Sequence, residues 1–260
     1  MNPIRTENIL GYPISNLPYN GCIQQISSWL EKRETPRFLA CANPHSLIVA
    51  SQDRAFQGAL FSADILVPDG TGIILASRIL GGNIRYRITG TDVFLGVSGI
   101  LNESNRSVFF LGSTEKNLTA IKAKISKAYP NIRIVGAHSP PFKEKFSPDE
   151  SYAMIQAINN VHPDVLWVGM TAPKQEKWIH QHLLNMDVGF VGAIGAVFDF
   201  YTGNVKRSHP AFQRVGLEWL PRLINEPRRL WRRNIISTPI FLSWIVKAKI
   251  EQIKRASEAK

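Results

Sequence analysis

Short apolar runs alternate with longer amphipathic segments along this chain, and the alternation limits the folds that it can adopt. Six runs are typical of buried strands, because they are short, rich in β-branched or aromatic residues and end in glycine or a polar residue. These runs lie at 37–43, 63–69, 107–113, 132–138, 164–170 and 188–196. Helical spacing occurs between them, at 45–60, 116–130, 149–161 and 174–186. The alternation predicts an α/β fold whose mostly parallel sheet has helices on both faces.

The run "ADILVPDGTG" ends in a single carboxylate, Asp69, between a proline and a glycine. Ligands of parallel sheets bind beyond the carboxyl ends of the strands, and Asp69 stands at such an end. Its surroundings suit a turn-forming residue, an accessory to a phosphate loop or a catalytic base. The local pattern alone leaves these three interpretations open.

Two further strand ends lead into helices that could hold an anion. In "FFLGSTEKN" the strand passes through Gly112 into a helix, whose free backbone amides suit a phosphate, although a simple capped turn explains the pattern equally well. In "VGMTAPKQEKW", Lys174 and Gln175 open a helix and could hold a phosphate or a sugar hydroxyl. A solvated first turn is the alternative there, but a lysine at that place opposes the helix dipole, which favours function.

Two other segments carry candidate ligand-binding residues. "GAIGAVFDFYTGNVKRSHP" places Gly195 where the backbone can approach a ligand closely and Asp199 shortly after it, although tight strand packing would also require the glycines. "RYRITGTDVF" contains Arg85 and Arg87, either of which can simply be exposed. Asp92 in the same segment is expected to cap a helix.

The positive charge is concentrated in the last 57 residues. The segment 204–260 contains 13 Lys and Arg against 4 Asp and Glu, a net charge of +9, whereas 1–203 carries only +2. We therefore predict an α/β core at 1–203 and a basic C-terminal appendage at 204–260, built of amphipathic helices that break at Pro221, Pro227 and Pro239. Such a tail favours an anionic partner: a membrane surface, a nucleic acid or a diphosphate.

Arginines and tryptophans alternate within this tail. Arg222, Arg229 and Arg232 fall on one helical face if the helix persists through Pro227. A solvated charged face is the usual meaning of such a run, but the interleaved tryptophan and leucine residues favour an interfacial role.

Several classes of protein are disfavoured by the sequence. The N-terminus lacks the apolar core of a signal peptide, and the apolar stretch at 235–246 is shorter than the roughly 20 residues of a membrane span. Cys22 and Cys41 form no disulfide framework, and the six histidines show no metal-ligand spacing. We therefore expect a cytosolic context without a metal or other cofactor.

Seven ordered motifs carry a resemblance to a known family. They are "CANPHSLIVA", "ADILVPDGTG", "RITGTDVF", "FFLGSTEKN", "GMTAPKQEKW", "GAVFDFYTGNVKRSHP" and "GLEWLPRLINEPRRLWRR". Over roughly residues 38–235 the chain resembles the WecG/TagA/CpsF family of bacterial glycosyltransferases. The resemblance implies a Rossmann-like core with a basic C-terminal appendage that helps to complete the active site and docks on the membrane.

The same resemblance implies an activity and a location. It implies an inverting, metal-independent transfer from a UDP-sugar to a polyprenyl-diphosphate-linked acceptor, in the synthesis of a surface polysaccharide or teichoic acid. N-acetylmannosamine, its uronic acid and glucose are conceivable donor sugars. The enzyme would lie peripherally on the cytoplasmic face of the membrane, and a homo-oligomer is possible.

The resemblance also assigns residues. Asp69 would be the catalytic base, which takes the proton of the acceptor hydroxyl. Cys41 replaces a hydroxyl-bearing residue of the family pattern. In place of a metal, arginines would stabilise the leaving diphosphate. The candidate substrate-binding residues are Asn43, Arg87, Thr89, Gly112, Lys174, Gln175, Gly195, Asp199, Arg222, Arg229 and Arg232.

Two other classes of function remain as alternatives. The basic tail could bind nucleic acid, although the sequence contains no recognised reader motif, and we expect no such partner. The chain could also be a non-catalytic nucleotide-sugar-binding or membrane scaffold protein. The presence of Asp69 and the arginines disfavours this second alternative.

Overall fold

A parallel β-sheet forms the centre of the chain. The computed structural model describes residues 4–205 and 231–258, and within these ranges the main sheet has six strands in the order β4-β3-β8-β7-β5-β6. Each neighbouring pair in this sheet is parallel. Its strands are β3 (Arg37–Ala42), β4 (Ile65–Pro68), β5 (Ser107–Gly112), β6 (Arg133–His138), β7 (Val165–Gly169) and β8 (Phe190–Ala193). The predicted α/β fold and the six predicted strands are thus confirmed.

Helices cover both faces of this sheet, as predicted. One face packs against α2 (Pro44–Ala50), α3 (Arg54–Phe61), α4 (Thr71–Leu80), α7 (Pro148–Asn159) and α8 (Lys174–His182). The other face packs against α1 (Tyr19–Lys32), α5 (Gly90–Glu103), α6 (Glu115–Ala128) and α9 (Val197–Thr202). Successive residues of a strand point to opposite faces, so Phe38 and Ala40 join the first core while Leu39 joins the second.

The segment 45–60, where helical spacing was observed, contains two helices rather than one. The chain leaves the helical path after α2, and Asp53 caps α3 by accepting the backbone N–H of Phe56 at 3.0 Å. Aspartate is a favoured N-cap residue because its side chain satisfies a free amide of the first turn. The helix expected at 174–186 ends earlier, at His182, and a 3₁₀ turn at Leu183–Asn185 follows.

An N-terminal hairpin closes one edge of the first core. Strands β1 (Thr6–Ile9) and β2 (Tyr12–Ser15) are antiparallel, and Leu10 and Gly11 form the turn between them with positive φ. Ile9, Tyr12 and Ile14 are buried in the core that α2 and α3 line.

The C-terminal segment ends in one long helix. A π-helical stretch at Arg232–Ser237 continues into α10 (Thr238–Glu258), which packs on α2 and α4 through Phe241 and Ile245. The predicted break at Pro239 is wrong, because the helix runs through this residue. Proline has no N–H to donate, and the π-helical turn that ends at Ser237 lies just before it. The breaks predicted at Pro221 and Pro227 lie outside the described residues.

Candidate active site

Asp69 and Asn43 lie side by side where β4 and β3 end. The backbone N–H of Asp69 donates to the carbonyl of Ala42 at 2.8 Å, which continues the ladder one residue past Pro68. Gly70 follows with a φ of +120°, and a Cβ atom there would lie 3.8 Å from the Cβ of Asn43. The turn therefore holds a half-buried carboxylate at the carboxyl edge of the sheet, which is the position expected of a ligand-facing group.

Asn43 also caps the helix that begins beside Asp69. Its side-chain oxygen accepts the backbone N–H of Ser46 at 3.0 Å, and the Ser46 hydroxyl accepts the N–H of Asn43 at 2.8 Å. This reciprocal arrangement fixes the start of α2. Because the oxygen is engaged by the helix, the NH₂ group is the part of this side chain left to reach a ligand.

The arginine segment runs along the end of β4. Ile88 donates its N–H to the carbonyl of Pro68 at 3.1 Å, so the half-buried Arg87 lies one residue from this contact and close to the Asp69 turn. Arg85 is exposed instead and donates to the side chain of Asn83 at 3.0 Å. Of these two arginines, the half-buried one is Arg87, to which the family resemblance assigns substrate binding.

Thr89 occupies the N-cap of α5. Its hydroxyl donates to a carboxylate oxygen of Asp92 at 2.7 Å and accepts the N–H of Asp92 at 3.2 Å. Asp92 was predicted to cap this helix, but it stands at the third helical position and returns the contact by accepting the N–H of Thr89 at 2.8 Å. The Thr89 hydroxyl is consequently part of a capping box.

Cys41 stands on β3, one residue before the strand ends at Ala42. Its thiol points toward the carbonyl of Ala193 on the neighbouring strand β8, with the sulfur 3.9 Å from that oxygen. Burial raises the pKa of the thiol well above its ordinary value, and the negative charges of Asp69 and Glu176 raise it further. The thiol is therefore neutral near pH 7, and both carboxyl groups lie near its sulfur.

Gln175 ties the ends of β7 and β8 together. It is 3% exposed, and its Oε1 accepts the backbone N–H groups of Met170, at 3.2 Å, and Gly195, at 3.1 Å. Its Nε2 donates to Oε1 of Glu176 at 2.8 Å. One N–H of Gln175 remains for a ligand, since the other polar positions of the side chain already have partners.

Glu176 is a buried carboxyl group that the sequence-based candidates did not include. It is 3% exposed, and its Oε2 has no hydrogen-bond partner among the described residues. Burial raises its pKa to about 7, partly offset by the hydrogen bond from Gln175. The helical pattern contained a signal for it, because Glu176 precedes the buried Ile179 by three residues and so shares its helix face.

Lys174 contacts the loop between β6 and α7. Its ammonium donates to the carbonyl of Lys143 at 2.7 Å and lies 5.6 Å and 4.9 Å from the ring centroids of Phe142 and Phe146. Burial lowers its pKa. The first turn of α8 is therefore not simply solvated, and Lys174 is engaged by two aromatic rings and a carbonyl rather than lying free at the edge.

Asn117 joins Asp199 to the end of β5. Asn117 is 2% exposed, and its Nδ2 donates to Asp199 at 2.9 Å and to the hydroxyl of Ser113 at 2.8 Å. Its Oδ1 accepts from Asn204 at 3.0 Å. Asp199 lies on α9, one turn past Gly195, and not on a loop. Sequence reasoning missed Asn117 as a site residue, although Thr114 marks the start of its helix.

Glycine is favoured at two of the candidate positions, 112 and 195, for different structural reasons. Gly112 has a φ of +107°, and a Cβ atom there would meet the carbonyl oxygen of Gly169 at 2.6 Å, so close packing of β5 on β7 demands it. Gly195 has a φ of +54°, and its nearest neighbour would be Nε2 of Gln175 at 3.5 Å. At Gly195 the left-handed backbone, rather than a lack of space, favours glycine.

The appendage arginines are only partly described. Arg222 and Arg229 lie outside the described residues. Arg232 is exposed, and its guanidinium lies 5.6 Å from the ring centroid of Trp231, which is 41% exposed. An exposed tryptophan beside an arginine is the pairing found at lipid headgroup layers.

Neither a metal site nor a membrane-spanning helix is found in the part of the chain that the structure describes. No cluster of three or more His, Cys, Asp or Glu residues within 4–205 and 231–258 is arranged to hold a metal ion. In the same ranges, none of the helices combines the length and the hydropathy of a bilayer crossing.

The chain matches a known family over nearly its whole length. The family model described as glycosyl transferase WecG/TagA/CpsF matches residues 7–255. The chain belongs to this family. The enzyme is accordingly a glycosyltransferase, and the resemblance seen over residues 38–235 is confirmed and extended.

Named relatives cover the enzyme almost end to end. A protein of Bacillus subtilis (strain 168) is 32% identical over 90% of this chain and 90% of its own length. A protein of Staphylococcus aureus (strain MW2) is 28% identical over 96% of this chain and 95% of its own length. Both are named N-acetylglucosaminyldiphosphoundecaprenol N-acetyl-beta-D-mannosaminyltransferase.

Proposed function

We propose that this enzyme transfers a sugar of the N-acetylmannosamine type from a UDP-sugar to a polyprenyl-diphosphate-linked N-acetylglucosamine acceptor. The observation that carries the proposal is the carboxylate of Asp69, held at the carboxyl edge beside Asn43. The names of the relatives support the same acceptor and the same transferred sugar. The product belongs to a surface polysaccharide or teichoic acid.

Asp69 acts as the general base in this proposal. It removes the proton from the attacking acceptor hydroxyl as the new bond forms at the anomeric carbon and the bond to the UDP oxygen breaks. Attack from the face opposite the leaving UDP inverts the anomeric carbon. A β-linked product, as in the relatives' names, is what inversion of an α-linked donor yields.

The leaving diphosphate is stabilised by arginines rather than by a metal ion. Arg87 directly precedes Ile88, whose N–H donates to Pro68 at the end of β4, and Arg222, Arg229 and Arg232 belong to the appendage at 204–260. Guanidinium groups bind phosphate oxygens in a bidentate manner, so they suit this role without a cofactor. Asn43, Thr89, Gly112, Lys174, Gln175, Gly195 and Asp199 complete the proposed binding surface.

The enzyme works at the cytoplasmic face of the membrane, as a peripheral protein. The lipid-linked acceptor of the relatives and the net charge of +9 in 204–260 support this location. Exposed apolar residues on one face of α10, Val246, Ile250 and Ile253, favour the same contact.

A turnover assay with defined substrates tests the proposal. The full chain is incubated with a panel of UDP-sugars and a polyprenyl-diphosphate-linked N-acetylglucosamine, with and without EDTA, and the product anomer is read by NMR. We expect a β-linked product from UDP-N-acetylmannosamine and no loss of rate in EDTA. Absence of turnover with every UDP-sugar would contradict the function, an α-linked product would contradict inversion, and a rate restored only by added Mg²⁺ would contradict metal independence.

A truncated chain tests the role of the appendage. Deletion of 204–260 is expected to abolish both transfer to the lipid-linked acceptor and binding to anionic vesicles. Thermal unfolding and UDP binding of the truncated chain show whether the core still folds. Full turnover after the deletion would show that the appendage is dispensable.

A further inference from the structure

Only one oxygen of the buried Glu176 carboxyl group has a hydrogen-bond partner among the described residues. One of its oxygens accepts from Gln175 at 2.8 Å, and the other, Oε2, is enclosed by protein and has no hydrogen-bond partner among the described residues. A buried carboxylate oxygen without a partner costs free energy, because it has lost its water and gained nothing in return. Such a group in a folded protein calls for a specific explanation.

The position of Glu176 points to the candidate site. Gln175, to which it is bonded, joins the loop after β7 to the loop after β8 through Met170 and Gly195. The charges of Asp69 and of Glu176 both raise the pKa of Cys41, which stands near the end of β3. Glu176 therefore lies where β3, β8 and β7 end, within electrostatic reach of the thiol that also neighbours the proposed base.

The chemistry of the free oxygen limits what it can bind. An ionised carboxylate only accepts hydrogen bonds, so it repels a diphosphate and attracts a hydroxyl group. A sugar nucleotide offers hydroxyl groups on its ribose and on the transferred sugar. Both sources present the same chemistry to the carboxylate.

We infer that Glu176 is a substrate-binding residue whose Oε2 accepts a hydrogen bond from a sugar hydroxyl of the donor nucleotide. This inference rests on the proposed use of a UDP-sugar. Because Oε2 is enclosed, the loop preceding α8, where Thr171 and Ala172 are exposed, must move to admit the donor. Binding then supplies the partner that this oxygen lacks.

The test measures binding by calorimetry, so it does not depend on turnover. UDP, 2′-deoxy-UDP, 3′-deoxy-UDP and UDP-N-acetylmannosamine are titrated into the wild type and into Glu176→Gln. The variant retains the shape of the side chain and an acceptor for Gln175, but it presents an amide to the ligand. Glu115→Gln is the matched control, because Glu115 lies in the first turn of α6 and is exposed.

We expect Glu176→Gln to weaken binding about 10- to 100-fold, as for the loss of a hydrogen bond to a charged group. If the hydroxyl belongs to the ribose, the affinities of UDP and of the UDP-sugar both fall in the variant. One of the two deoxy-UDP analogues then binds the wild type more weakly than UDP does, but binds the variant with the same affinity as UDP. If it belongs to the transferred sugar, only the UDP-sugar weakens. Binding of all four ligands within twofold of wild type overturns the inference, as does equal weakening of UDP and both deoxy analogues.

The wild type supplies a second measurement if the variant does not fold. Accepting a hydroxyl favours the ionised carboxyl, and the pKa of Glu176 is about 7, so binding at pH 7 releases up to about half a proton. Release is obtained from titrations of UDP-N-acetylmannosamine in buffers of different ionisation enthalpy. Cys41, whose pKa burial raises well above its ordinary value, interacts with both Glu176 and Asp69, and Lys177 and His180 follow Glu176 on the same helix. If binding of UDP-N-acetylmannosamine releases no protons, the inference is overturned. If the protein binds this donor with proton release but transfers no sugar, only the proposed function is contradicted.

Discussion

Asn117 donates a hydrogen bond to the carboxylate of Asp199 across 2.9 Å, although 82 residues separate them in the sequence. The same amide group contacts Ser113 and Asn204, so a single buried side chain joins the end of β5, α9 and the start of the basic segment. The orientation of Asp199 is thus set by a residue of another helix.

Exchanging the two residues separates structure from function. Asn117→Asp alone places a second carboxyl group against Asp199, so we expect lower stability. In Asn117→Asp/Asp199→Asn the new carboxylate can accept from residues 199, 204 and 113, so the melting temperature should return toward wild type. Activity should stay at least tenfold lower, because the proposed ligand-binding carboxylate has moved. Calorimetric melting and turnover measure the two effects, and recovery of both would mean that Asp199 is purely structural.

Removal of the proposed base should abolish transfer without disturbing the fold. Asp69→Asn keeps the backbone bond to Ala42, which does not involve the side chain. We expect turnover to fall by a factor of about 10² to 10⁴, the usual contribution of a general base, with UDP affinity nearly unchanged. Asp149→Asn, in the exposed first turn of α7, is the control. Near-normal turnover of Asp69→Asn would remove this residue from the mechanism.

The bridge made by Gln175 should matter for stability. Gln175→Leu leaves the N–H groups of Met170 and Gly195 without their acceptor, so we expect a loss of about 2–4 kcal/mol in the free energy of unfolding. Gln24→Leu, at an exposed position of α1, should change it by less than about 0.5 kcal/mol. Urea unfolding at one pH compares the two. An unchanged midpoint for Gln175→Leu would show that other groups satisfy these amides.

The stability of the protein should depend on the ionisation of Glu176. Its pKa is about 7 in the folded chain against an ordinary value of 4.5, so the folded state retains a proton that the unfolded state has lost. Stability therefore decreases as pH rises from about 4.5 to about 7 and then levels off. The difference corresponds to about 3 kcal/mol.

The Glu176→Gln variant cannot ionise at this position, so it tests whether stability falls as pH rises. Between pH 5 and pH 8 the melting temperature of the wild type should fall relative to the variant by on the order of 5–10 °C. Scans at several pH values compare the two proteins, with Glu115→Gln following the wild type. Parallel curves for wild type and Glu176→Gln would contradict the raised pKa.

Gly112 should tolerate no side chain. Alanine there would adopt a φ of +107° and place its Cβ 2.6 Å from the carbonyl oxygen of Gly169, so we expect a loss of several kcal/mol or failure to fold. Gly99→Ala is the contrasting control, because nothing lies within 4 Å of its Cβ and alanine favours the helix. The control should gain up to about 1 kcal/mol by urea unfolding. Equal stability of the two variants would contradict this packing.

Local patterns predicted most of the architecture. The six strands of the main sheet follow from short apolar runs, and five of them are buried, since a strand covered on both faces needs apolar side chains on both. The edge strand β6 was expected to be buried as well, but none of its residues is. The N-terminal hairpin was missed because its strands have four residues each, too few for a period to show. The helix through Pro239 was missed because the widened turn before it leaves no mark in the sequence.

The strand ends, and with them the edge where Asp69, Asn43 and Gly195 lie, can be located from local patterns, because hydrophobic periodicity and glycine placement are local properties. The polar groups that meet at this edge cannot, since they depend on how the chain folds. The bonds of Asn117 to Asp199 and of Gln175 to Gly195, and the burial of Glu176, depend on the order in which strands far apart in the chain lie side by side. Hydrogen bonding and desolvation act over a few ångströms, so these partners appear only when the sheet has assembled.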